Sequence, residues 1–416
     1  MPARKVRVPV PGSQAIAAAG ARAAMTPRRP PSAYVKGHAS ARPVDSDTAD
    51  SYVAHTWIGD AELDPVMEEL AALPRAEMNR FIAAGIDREA EVLRDAPRAL
   101  RDFFDGIDDA PDWVDHASFD PGIRAFHANA IPILAAFVAG SLVEGFATLI
   151  AKSFFMTGRV IDKGARRLRQ NNRHQVEVFH PGGLRRESDG WKLSVRVRFV
   201  HAQVRRLLAS SGEWDADAWG VPISAANLGY AIACFSARTL VHSTVLGARY
   251  SPEQRESYCA VWRYVGHIMG IPGTILYTTE EEARHMFGIG FLCEPESGDE
   301  SVVMANALIN SAPLVAGISD PAERSALANR LIYPISRGLI GCELAERLRF
   351  PPCTRLNARR TLFLHWLDTR LKARFPRLLT GGASTMEKLF EVSWYDPAGL
   401  DYSLPDHFDT ERSSQW

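Results

Sequence analysis

Residues 193–210 read LSVRVRFVHAQVRRLLAS. Val197, Val200, Val204 and Leu207 recur at three- and four-residue steps, so they fall on one face of a helix. His201 lies on that face, with Arg198 one turn before it and Arg205 one turn after. At about 100° per residue, the three side chains stay within one stripe. A neutral imidazole on an apolar helix face is a good iron ligand, and guanidinium groups beside it suit the carboxylates of an anionic cofactor. A core histidine between two partly solvated arginines has the same pattern, and periodicity alone leaves both readings open.

The helical period recurs along the chain. Glu62–Ala71, Arg75–Glu89, Pro97–Phe104, Leu228–Leu246, Pro321–Leu331, Leu339–Leu348 and Leu356–Arg374 all carry it, whereas alternating runs are scarce. These features predict a mainly α protein: one large helical domain over about 45–390, a flexible basic tail over 1–40, and a wrapping C-terminal tail over 391–416. Ser251, ahead of Pro252, Glu253 and Gln254, reads as a helix cap, as does Asp320 ahead of Pro321. Residues 36–60 read as polar and irregular, and 179–191, with PGG and DG, as a hairpin-like excursion.

Residues 128–151 form the most apolar long run, close to membrane-spanning length. Glu144 lies inside it and Gly140 and Gly145 interrupt it, so it reads as a buried core helix rather than a stable membrane span. Glu144 is then either structurally paired or a perturbed acid at a buried site. The basic run Thr157–Gln170 continues as a helix and places Arg167, Gln170 and Asn171 within about one turn. If that turn faces a cofactor, all three can act there.

Forty-eight basic residues balance 49 acidic ones, so no broad attraction to nucleic acid or an anionic membrane is implied. Five cysteines without a CxxC pair suggest neither a zinc site nor a disulfide framework. Dinucleotide, P-loop, serine-elbow and HExxH signatures are absent. Glu281 and His285, four apart, fit either a metal or an exposed helical cap. Ala15–Met25 is too poor in large apolar residues for a signal peptide, so a cytoplasmic location is expected, with a weak export or organellar signal as the alternative. A monomer or weak oligomer is expected.

The spacing Arg198-x-x-His201-x-x-x-Arg205 resembles the rubber oxygenase (latex clearing protein) and mpaB-type oxygenase family. TGR at Thr157–Arg159 and RRL at Arg166–Leu168 before it, and GVPIS at Gly220–Ser224 and the pattern of Trp262, Gly266 and Gly270 after it, look similar in the same order. The resemblance implies a b-type haem protein with a globin-like core, His201 as proximal iron ligand, and Arg198 and Arg205 supporting the haem or its propionates. It implies a distal arginine at Arg167, with Gln170 and Asn171 where rubber oxygenases carry lysine and threonine. Their distal glutamate base has Glu144 as nearest candidate, in a different register; the alternative is that Ala151 occupies the equivalent place. The implied activity is oxidative C=C cleavage of a hydrophobic unsaturated substrate by dioxygen. The alternatives are a haem monooxygenase or peroxygenase, and a non-catalytic haem-binding or sensing protein.

Overall fold

Several helices begin where a side chain takes up backbone N–H groups that no helical carbonyl can reach. In the computed structural model, which describes residues 29–157 and 164–375, Asp45 accepts from the N–H groups of Asp47 and Thr48, and Asp320 from that of Glu323. Ser251 and Gln254 form a reciprocal capping box, with Pro252 in the first helical position.

The helices that matter below are α1 Val35–Ala41, α2 Ser46–His55, α3 Leu63–Leu70, α4 Arg75–Asp87, α5 Arg98–Ile107, α6 Asp120–Ala128, α7 Ala130–Ala136, α8 Ile150–Met156 and α9 Gly164–Val178. They continue with α10 Asp189–Ser210, α11 Ala225–Ala233, α12 Pro252–Ile268, α13 Glu280–Cys293, α14 Asp299–Val315, α15 Tyr333–Ile340 and α16 Arg355–Arg374. No strand occurs among the described residues, so the expected helical class holds. Helix α7 runs through a π-turn at Phe137–Ser141 into Leu142–Phe146. Helix α11 does the same at Cys234–Arg238 before Thr239–Val245.

Buried apolar side chains gather in two clusters. One joins α2–α6, α10, α12 and α13 around Phe199, Tyr258 and Trp262. The other joins α7, α14 and α15 around Phe137, Ile309 and Ile335. Phe235 and Phe291 pack against both. Helices α6 and α12 meet at Gly122, where a Cβ would fall 2.5 Å from the Tyr258 nitrogen. The Gly122 N–H instead donates to Ser257 Oγ at 2.8 Å.

Three local expectations change. Residues 36–60 contain α1 and α2, because Ala49, Tyr52 and Val53 give the polar segment a narrow buried stripe. The apolar run 128–151 is not one helix: it breaks at Asn129, whose side chain donates to the carbonyls of Ala125 and Arg249, and again at Thr148–Leu149. The expected helix Leu339–Leu348 is parted at Gly341 between α15 and Cys342–Arg347, and Pro334 sits in the first turn of α15, directly after a π-turn at Ala328–Ile332. Among the described residues no single helix is long and apolar enough to cross a membrane, although the bent pair His116–Ala128 and Ala130–Phe146 passes on length and composition.

Candidate functional site

Helix α10 is anchored by its arginines. Arg198, 2 % exposed, donates to Asp60 from Nε at 2.6 Å and from Nη2 at 2.7 Å, and to Glu62 at 2.8 Å. Its guanidinium also lies over the Phe103 ring. Gly270, at φ +76°, makes room for this pair: a Cβ there would fall 2.5 Å from both Arg198 Nε and Asp60 Oδ2. Arg205 donates to Asp64 and to the carbonyls of Pro222 and Ile223. Burial pushes the Asp64 pKa up against the opposing charge of Arg205. The expectation that these two arginines serve cofactor carboxylates is therefore corrected. Their donors are engaged with the Asp60–Asp64 segment, and both act as struts that fix the helix carrying His201.

His201 itself is half-buried, and its Nδ1 is buried with no hydrogen-bond partner among the described residues. Burial, with Arg205 and His174 close by, pushes its pKa down to about 3, so the ring is neutral. Val197, Val200 and Leu207 near it are also half-buried, whereas Val204 and Leu208 on the same side are buried, as are Val195, Phe199 and Ala202 on the other side. The stripe read from the sequence is thus incompletely covered at Val197, Val200, His201 and Leu207 and closed at Val204. A half-covered apolar strip carrying a neutral imidazole with an unpartnered Nδ1 suits a flat apolar ligand with a metal that takes nitrogen.

Helix α9 supplies the neighbouring side chains. Gln170 and Asn171 are half-buried and lie one turn before His174. Burial lowers the His174 pKa to about 4, and its Nε2 lies 2.9 Å from Ser194 Oγ on α10. His174 is close enough to perturb His201. Arg167 falls within α9, but its side chain, like residues 158–163, lies outside the described residues. Asn172 was not singled out by sequence. It is fully buried, and neither of its amide atoms has a partner among the described residues. Only contact geometry reveals such an orphan.

Glu144 does not behave as an available base. Its carboxylate accepts from Arg238 Nε at 2.9 Å and Nη2 at 2.7 Å, and His242 Nε2 lies 3.0 Å away. Burial alone would raise its pKa, but His242 and Arg238 outweigh burial and hold it below the usual range. The structurally paired reading of Glu144 is the one the geometry supports. Ala151 is fully buried against Met304. No group of three or more metal-ligating side chains occurs among the described residues, and His285 pairs with Asp45 rather than Glu281.

A second buried carboxylate escaped the sequence reading. Glu294 accepts from Tyr52 at 2.7 Å, Tyr34 at 3.3 Å and the Leu149 N–H at 2.9 Å. It has no cationic partner among these contacts, and burial raises its pKa. It ties α1 and α2 to the loop leading into α8.

Comparison with known proteins places this architecture. Residues 124–372 match the family model described as ER-bound oxygenase mpaB/B'/Rubber oxygenase, catalytic domain. A curated relative, the rubber oxygenase of Streptomyces sp. (strain K30), is 25 % identical over 265 residues. That match takes in 59 % of this chain and 63 % of the relative's own length. The solved structure of latex clearing protein LCP in the closed state superposes with a TM-score of 0.64. It does so over 84 % of this chain and 95 % of that one at 19 % identity, a likeness of fold. With the family model covering more than half of its residues, the chain belongs to the mpaB and rubber oxygenase catalytic-domain family.

Proposed function

We propose that this chain is a haem b-dependent oxygenase acting on a hydrophobic, unsaturated substrate, with His201 as the residue that would hold the haem iron. The observation that carries the proposal is the neutral His201 ring, its Nδ1 buried and unpartnered, on an apolar strip the protein leaves half-covered. The residues present fit the group. The imidazole has a free lone pair at neutral pH, and Val197, Val200 and Leu207 offer an apolar rest for a macrocycle. Bound haem would supply the iron at which dioxygen is activated for attack on an alkene.

The chain's own contribution follows from its geometry. Arg198 and Arg205, locked on Asp60 and Asp64, fix the axial position of α10 and hence of His201. The apolar side chains exclude water from the ligand face. Gln170 and Asn171 offer amide donors one turn from His174. The family's oxygenases and the rubber oxygenase relative support the reaction class. A small or medium-sized hydrophobic molecule is the preferred substrate over long polyisoprene, because an amide pair stands at the two positions where the resemblance expects lysine and threonine.

The test is reconstitution with haem b, followed by the visible absorption spectrum of the parent and of His201→Ala, with oxygen uptake on unsaturated terpenoids. A histidine-ligated Soret band in the parent, lost or shifted in the variant, supports the assignment. The same histidine-ligated spectrum in both overturns it.

A further inference from the structure

Helix α16 presents an uncovered face. Its inner side packs through Ala358, Leu362 and Thr369: Ala358 is buried, and Leu362 and Thr369 meet Gly338 and Gly247. At about 100° per residue, Leu356, Arg360, Phe363, Leu364, Leu367 and Leu371 occupy the opposite arc. Leu356, Phe363 and Leu364 are 79, 57 and 50 % exposed. Five of the eleven exposed large apolar side chains of the described residues lie in α16 or at Phe375 just beyond it. The helix is also strongly basic, with five arginines and one lysine against the single Asp368, in a chain of net charge −1. Arg355, Arg359 and Arg360 make no ion pair among the described residues.

Three occupants suit an apolar face in general, and the charges separate them. A second α16 is opposed by like charge. A bilayer would have to accept Arg360 in the middle of the apolar arc, where a guanidinium is expensive to bury. The chain immediately following α16 fits both features. Residues 376–416 carry seven carboxylates against three basic side chains, and the stretch 386–396, MEKLFEVSWYD, interleaves acids with leucine, phenylalanine and tryptophan. Extended at about 3.3 Å per residue, this segment can retrace the roughly 30 Å helix several times over. Tethering keeps its effective concentration high.

We infer that the outer face of α16 is the docking surface for the chain's own segment 376–416. Apolar side chains of 386–396 cover Leu356, Phe363 and Leu364, and its acids pair with Arg359 and Arg360. The surface completes the helical domain from outside and does not depend on the oxygenase reading.

Hydrogen exchange of the full-length chain tests this. Amides within 386–396 should exchange about ten-fold or more slowly than in the free peptide, independently of protein concentration. In Arg360→Glu and in Leu364→Asp, both at exposed positions, that protection should fall to the free-peptide rate while far-UV circular dichroism is unchanged. Adding Glu391→Lys to Arg360→Glu should restore part of it. Free-peptide rates in the parent, or protection untouched by either substitution, overturn the inference. So does protection that rises with concentration, which marks a second copy, or binding of the parent to phosphatidylglycerol vesicles through this face.

Discussion

Removing the Asp60 carboxylate should cost about 3–5 kcal/mol, a large part of the roughly 5–15 kcal/mol that holds a folded domain. The magnitude follows from what Asp60→Ala leaves behind. Arg198 is 2 % exposed and loses both of its charge-assisted bonds to this residue, at 2.6 and 2.7 Å. Glu62 still reaches Nη2 at 2.8 Å, but its side chain is 70 % exposed and compensates weakly. The Leu63 N–H at the start of α3 also loses its acceptor, Asp60 Oδ1, at 3.1 Å. Urea unfolding at pH 7 measures the loss, and Arg198→Met should cost a similar amount. The double variant Asp60→Ala/Arg198→Met should cost clearly less than the two singles together, with a coupling of about 2 kcal/mol or more, because no unpaired charge remains buried. An Asp60→Ala chain within about 1 kcal/mol of the parent, or strict additivity in the cycle, would refute the view that this ion pair anchors the His201 helix.

Gly270→Ala should destabilise by about 3 kcal/mol in the same assay, since it adds both a left-handed strain and a clash with the Arg198–Asp60 pair. Stability should decline as pH falls from 6.5 towards 4 and then 3, because His174 and His201 are held neutral when folded and take up protons when unfolded; His174→Gln should make the decline between pH 6.5 and 4 shallower in acid titrations followed by circular dichroism. Glu144 contributes stability above pH 4.5 that is lost as pH falls further, so Glu144→Gln should flatten that limb and cost about 3 kcal/mol in urea at pH 7 by leaving Arg238 without its anion. Glu294→Ala should cost about 3 kcal/mol and speed amide exchange over residues 32–55, where Tyr34 and Tyr52 lose their shared acceptor.

What the sequence reveals here is local periodicity, and what it hides is pairing across distance. Helix α10 is legible because its apolar residues repeat within one element, and the caps at Ser251 and Asp320 because cap and N–H are three residues apart. The strutting of Arg198 by Asp60 spans 138 residues, and nothing in the period of either segment announces it. Asp60 closes the stretch 36–60 that reads as irregular, since α2 offers only a narrow apolar stripe among polar neighbours. The strip at Val197, Val200 and His201 is visible as a face, but its half-burial is not, because hydrophobicity does not say how completely a face is covered. The chain's most apolar run looked like one helix because apolar content is blind to the breaks at Asn129 and Thr148.

The π-turns at Phe137–Ser141 and Cys234–Arg238 carry a different lesson. A π-turn is a helix with one residue too many, and that surplus rotates everything downstream by about 100° relative to everything upstream. Glu144 follows the first; Arg238 closes the second, and His242 lies beyond it. Their meeting is therefore a matter of counting, not of composition. Each helix behaves as a two-part shaft with an offset coupling, free to satisfy the apolar core with its first half and aim a charged side chain with its second. No single helical wheel drawn through residues 130–146 or 225–245 can display both halves at once.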